Sequence, residues 1–181
     1  MTGPGPVSRD GRATVALATC AALPGLDVDG PGLLQALDRV GVDARAAVWD
    51  DPAEQWGHFD LVVVRSTWDY TERRDQFVAW ARSVPRLANP AEVLEWNTDK
   101  RYLGDLAEAG VPVVPTTWIG PDDAVALPGE GEFVVKPTVG AGARGAGRHR
   151  PDGAAAARAT PPPAAAPRRS ARSPATAGRR G

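Results

Sequence analysis

The sequence predicts an α/β protein built around a parallel sheet, and three observations carry that expectation. Strand-length apolar runs recur at residues 14–19, 42–49 and 60–65. Segments with helical spacing stand between and after them. The run Asp60–Arg65 (DLVVVR) is almost continuously apolar, as a strand covered on both faces must be. Strands that alternate with helices at this interval form βαβ units and hence a parallel sheet.

Each element is set by its residues. Thr14–Thr19 (TVALAT) is a short apolar strand, followed by a Pro/Gly/Asp loop. In LLQALDRVG, Leu33, Leu34, Leu37 and Val40 share one helical face and Gly41 terminates the helix. Val42–Trp49 reads as a second strand and Asp60–Arg65 as a third. TERRDQFVAWARSV supports a helix that turns Phe77, Val78 and Ala81 toward the sheet. A short strand over Arg86–Ala88 stops at Asn89-Pro90. In NTDKRYLGDLAEAG, Thr98 is placed as N-cap, Lys100 in the first turn, Tyr102, Leu103, Leu106 and Ala109 on one face, and Gly110 as terminator. VPVVPTTW and a Pro/Asp/Gly loop lead to the strand EFVVKP, and TVGAGARGAG comes after it with four glycines in ten residues.

Composition breaks after that loop. Residues 151–181 contain no Val, Ile, Leu, Met, Phe, Trp, Tyr or Cys, but eleven Ala, six Pro and six Arg. Side chains of that kind cannot offset the entropy of ordering, so a disordered tail is expected. Ala, Pro, Arg and Gly have GC-rich codons, so either an out-of-frame reading of a GC-rich gene or a genuine low-complexity tail fits. The tail carries six Arg against one Asp, so the formal total of −1 leaves −6 for residues 1–150. An acidic folded part is not a nucleic-acid surface, and the tail arginines lack the interleaved aromatics of a single-strand binder. The single Cys20 excludes an internal disulfide or a cysteine zinc cluster, and reads as a small buried hydrophobe. No apolar run reaches membrane-spanning length and MTGPGPVSRDGR has no apolar signal core, so no membrane association and a cytoplasmic setting are expected.

In a parallel sheet, ligands gather beyond the carboxyl ends of the strands. That directs attention to Cys20–Asp29, Ser66–Tyr70 and the stretch near Asn89. Ser66, Thr67, Trp68, Asp69 and Tyr70 suit a small carboxylate or amino-acid substrate. Equally, Trp68 and Tyr70 could pack on the next helix while Asp69 or Thr71 caps it. Asp27 and Asp29 read as ordinary loop residues, and His58 and His149 lack metal-ligand companions. Lys136, at a strand end before the glycines, could supply charge to a phosphate whose oxygens the loop amides approach. The P-loop order is absent, because the lysine precedes the glycines.

Taken together, Asn97-Thr98-Asp99-Lys100, Gly110-Val111-Pro112 with Pro115, and FVVKP with its glycine loop resemble the ATP-grasp superfamily. VRSTWDY and WNTDKRYL look like a branch related to glutathione synthetase and D-alanine–D-alanine ligase. The resemblance covers about residues 13–148. It implies a disordered extension over 1–12, a preliminary (pre-ATP-grasp) α/β domain over 13–96, the start of an ATP-grasp domain over 97–148 and a tail over 149–181. It also implies that Lys100 and Lys136 contact ATP phosphates, and that Gly140, Ala141, Gly142 and Ala143 close over them through the backbone. Family members phosphorylate a carboxylate with ATP and magnesium, and an amine then attacks the acyl phosphate. The adenine-binding and magnesium-binding parts that such enzymes carry beyond this loop are missing here. The expectation is therefore a truncated ligase relative that at most binds ATP, and a homodimer is compatible with the resemblance. The alternative is a non-catalytic α/β module that holds a small molecule or a partner.

Overall fold

The computed structural model describes residues 11–151. The expectations for residues 1–10 and for the tail from residue 152 onward lie outside the described residues.

A four-stranded parallel sheet organises the first part of the chain. Its strands are β1 (Ala13–Thr19), β2 (Val42–Val48), β3 (Leu61–Ser66) and β4 (Leu87–Ala88), in the order β2-β1-β3-β4. The α/β class and the parallel sheet are as the sequence predicts. β1 is central, and its residues alternate between two cores. Ala16, Ala18 and Cys20 face one, with Val62 of β3; Val15 and Leu17 face the other, with Leu26. Helix α1 (Gly30–Arg39) covers the second core through Leu33, Leu34 and Leu37. Helix α2 (Arg74–Ser83) covers the first through Phe77, Trp80 and Ala81, joined by Leu94 of α3 (Ala91–Asn97). Helices on both faces explain why β1 has so little polar content.

Several boundaries differ from expectation. Val40 is exposed and stands at the C-cap of α1, off the packed face, because the helix stops before Gly41 enters the left-handed region. Residues 68–72 form a 3-10 turn, so α2 begins only at Arg74. Neither Asp69 nor Thr71 caps it. Thr98 is the C-cap of α3 with helical backbone angles, and not an N-cap. The next helix, α4 (Tyr102–Glu108), begins after Lys100, which sits in the intervening turn. Ala109 is exposed, while Gly110 ends α4 at φ +78° as expected. Cys20 is buried with the apolar core.

The described residues divide into two compact units, residues 124–135 with 147–151 forming the smaller. In it, β5 (Phe133–Val135) pairs antiparallel with β6 (Gly147–His149). The His149 ring stacks on Phe133, and Glu132 pairs with Arg148 and Arg150 at 3.1 and 2.7 Å. Among the described residues, no helix is long and apolar enough to cross a membrane.

Candidate functional site

The order β2-β1-β3-β4 reverses direction at β1, which creates a topological switch point between the carboxyl ends of β1 and β3. Parallel sheets bind ligands at such points. The pairing slips there by one residue, between Ala18 and Thr19, so that Thr19 opposes Ser66. Irregularities of this kind commonly re-aim side chains next to functional sites. Thr19, Ser66 and Thr67 are all buried at this end.

The loop after β1 is fixed on the sheet by its own packing. Leu26 holds a left-handed backbone (φ 72°) while its side chain fills the second core. A Cβ on Gly30 would lie 2.5 Å from the Leu26 Cβ, so the loop closes only with glycine there. Asp27 is thereby delivered to β3. It accepts from Ser66 Oγ at 3.1 Å and pairs with Arg65 at 3.4 Å. The sequence reads Asp27 as an ordinary loop residue, and the structure ties it to the carboxyl end of β3. Its position directly beyond β1 is the signal that points to this.

The segment Ser66–Tyr70 divides among several roles. Ser66 and Thr67 are buried beneath the crevice, Trp68 is exposed, and Tyr70 packs on Phe77 with ring centroids 5.5 Å apart. Burial pushes the Tyr70 hydroxyl pKa up. The Asp69 carboxylate is fully engaged, since it accepts from Trp49 Nε1 at 2.9 Å and from Arg73. Arg73 also donates to Asp50 at 2.6 Å and lies over the Trp49 ring, 4.7 Å from its centroid. The Asp50 bond, then the bond to Asp69, holds the Arg73 pKa above its ordinary value against the effect of burial.

The second cluster lies around Lys100, within the larger unit. Its backbone N–H donates to Thr138 O at 2.9 Å. Its ammonium donates to Thr138 O at 3.3 Å and to Gly140 O at 2.9 Å. Burial first, and the neighbouring charge of Lys136 second, lower the Lys100 pKa. Lys136 lies 36 positions after Lys100 and immediately precedes the turn on which the Lys100 ammonium sits. After Lys136 the loop turns through left-handed Gly142, Ala143 and Gly145, with turn bonds Arg144 N–H to Ala141 O and Ala146 N–H to Ala143 O. A Cβ on Gly140 would lie 2.9 Å from Pro137 Cγ. The structure thus seats Lys100 on the glycine-bearing turn that follows Lys136.

An α/β fold whose parallel sheet has its switch point between β1 and β3 defines the class of protein. Comparison with known proteins narrows it. Residues 15–89 match the family described as the N-terminal domain of D-cycloserine synthetase DcsG. The cycloserine biosynthesis protein DcsG of Streptomyces lavendulae is 42% identical over a match covering 70% of this chain and 46% of that protein. The crystal structure of D-cycloserine synthetase DcsG superposes with a TM-score of 0.69 and 36% identity, over 80% of this chain and 53% of that one. Homology to that synthetase is therefore shown, and the present chain spans about half the length of the relatives it matches.

Proposed function

We propose that this chain is the front part of an ATP-dependent carboxylate–amine ligase of the ATP-grasp kind, acting on a small amino-acid-like substrate. The observation that carries the reading is the seating of the Lys100 ammonium on the glycine-bearing turn that Lys136 immediately precedes. ATP fits that site through its phosphates. The Lys100 ammonium already donates to two carbonyl oxygens, and phosphate oxygens are stronger acceptors for the same donor. In this reading Lys100 and Lys136 neutralise phosphate charge, while the backbone of Gly140–Ala143 encloses it. Bound ATP supplies the phosphoryl group that activates a carboxylate.

The described residues hold no group of three or more His, Cys, Asp or Glu able to ligate a metal ion. No metal-dependent step is assigned to them. The substrate class rests on the Ser66–Tyr70 crevice with Asp27, whose hydroxyl and carboxylate groups suit an amino acid. The names of the relatives, a cycloserine biosynthesis protein and a D-cycloserine synthetase, support the same class.

The test is calorimetric titration of the chain with ATP, alone and with magnesium. Binding in the millimolar range or tighter is expected, weakened at least ~10-fold in Lys136→Ala, as removal of one charge-assisted partner implies. No heat up to millimolar ATP would overturn the reading. A second reading, a non-catalytic small-molecule module, is favoured by one observation: the crevice from Thr19 to Tyr70 is built wholly within the matched domain. A thermal shift with amino acids, and none with ATP, would select it.

A further inference from the structure

Three consecutive residues at the start of α2 reach in three directions. Glu72 pairs with Arg144 of the glycine loop at 3.1 Å. Arg73 holds Asp50 and Asp69. Arg74 donates from Nε to Thr98 Oγ1 at 3.0 Å and from its terminal nitrogen to Glu95 O at 2.6 Å. Thr98, buried at the end of α3, passes its own hydroxyl hydrogen to the same Glu95 carbonyl at 3.1 Å. Two residues later stands Lys100. An open depression of ≈ 390 Å³ borders this junction, lined by Thr71–Gln76 and Val139.

The three contacts are unequal. The Glu72–Arg144 pair is largely exposed on both sides, so water screens it and it contributes little. Arg74 is half-buried and makes two directed bonds to one helix terminus. Two arginines at the start of a helix oppose its dipole, which is an unfavourable placement unless partners elsewhere compensate. At the far end of the contact the sign reverses: α3 ends with carbonyls that lack partners within the helix, and a cation there is favourable. Helix α3 has only seven residues, too few for its own hydrogen bonds to hold its end still.

We infer that Arg74 is a positioning residue for Lys100: it fixes the carboxyl end of α3 and so sets where the Lys100 amide and ammonium meet Thr138 and Gly140. The purpose of that placement rests on the phosphate reading, whereas the placement itself does not. The guanidinium fork is required, because a lysine has no second donor held at a fixed angle to reach both Thr98 and Glu95.

The two claims separate in one set of measurements on the full chain. Hydrogen exchange without nucleotide follows the Lys100 amide, with β1 and β3 amides as internal standard. Arg74→Gln and Arg74→Lys should each speed exchange at Lys100 by roughly 10-fold, as expected on losing a bond from a charged donor. Arg73→Gln, which does not touch α3, should leave it unchanged. Equal exchange at Lys100 in wild type and both Arg74 variants would overturn the inference. If the strand amides also lose protection in the Arg74 variants, Thr98→Val decides, since it removes the acceptor and leaves the charge; no change at Lys100 in Thr98→Val then overturns it. Where ATP binds, Arg74→Gln and Lys100→Gln should be non-additive in affinity, each single change removing most of what the pair removes. Additive losses would contradict action through Lys100. Absence of ATP binding in wild type would sink the phosphate reading and leave the exchange result to judge Arg74.

Discussion

Asp60 shows how a single carboxylate can be committed to structure at the edge of a sheet. Its Oδ2 accepts from Thr14 N–H at 2.8 Å and from Thr14 Oγ1 at 2.9 Å. The backbone bond first, then the hydroxyl bond, lowers its pKa. A carboxylate with a depressed folded-state pKa adds stability above its unfolded pKa and loses it as pH falls through the folded value. Asp60→Asn should therefore lower Tm at neutral pH and flatten the fall in Tm below about pH 4, the ordinary carboxylate range. A Tm–pH curve parallel to that of wild type would refute this. The two lysines are legible in the sequence at this scale because a strand-end lysine before glycines is a local pattern. The role of Thr98 is not, because a threonine between two short helical segments can close the first or open the second, and here it closes α3. Arg73 and Arg74 carry a weaker signal: adjacent cations at a helix start imply partners elsewhere.

Helix α2 is the element that binds the two halves of the site. Its buried side places Phe77 among Trp49, Tyr70 and Trp80, with ring centroids 5.4–5.5 Å apart. Phe77 is 1% exposed, so truncation leaves a cavity that the surrounding rings cannot collapse into. Phe77→Ala should cost about 3–5 kcal/mol in urea unfolding with little change in the denaturant slope. A loss below ~1 kcal/mol would show that the cluster tolerates the void. Periodicity exposes the inward face of this helix correctly, since Phe77, Val78 and Ala81 recur at helical spacing. It cannot expose α3, whose seven residues behind Pro90 include an exposed Val93 and a half-exposed Trp96. Trp96 is spent instead on α4, where its Nε1 donates to Asp105 and its ring meets Tyr102.

At the scale of the molecule, every buried residue among those described lies between Val15 and Thr98. A fragment ending at Thr98 should consequently keep the far-ultraviolet dichroism of the sheet and a cooperative unfolding transition. A non-cooperative transition would show that residues beyond Thr98 stabilise the core. The fold class is readable from the sequence because β1 and β3 are apolar on both faces, which only a covered parallel sheet explains. The crevice is readable in outline for the same reason. Its assembly from the Leu26–Gly30 turn is not, since a left-handed leucine leaves no mark in composition. The central place of β1 also has a consequence in time. It precedes the other strands of its sheet in the chain, yet its partner across the switch point, Ser66, lies 47 residues after Thr19. At ~5–20 residues per second the ribosome needs roughly 2–10 s to deliver that partner. Until β3 is delivered the central strand of the sheet lacks one of its two neighbours, and a nascent chain paused there is a natural client for a holding chaperone.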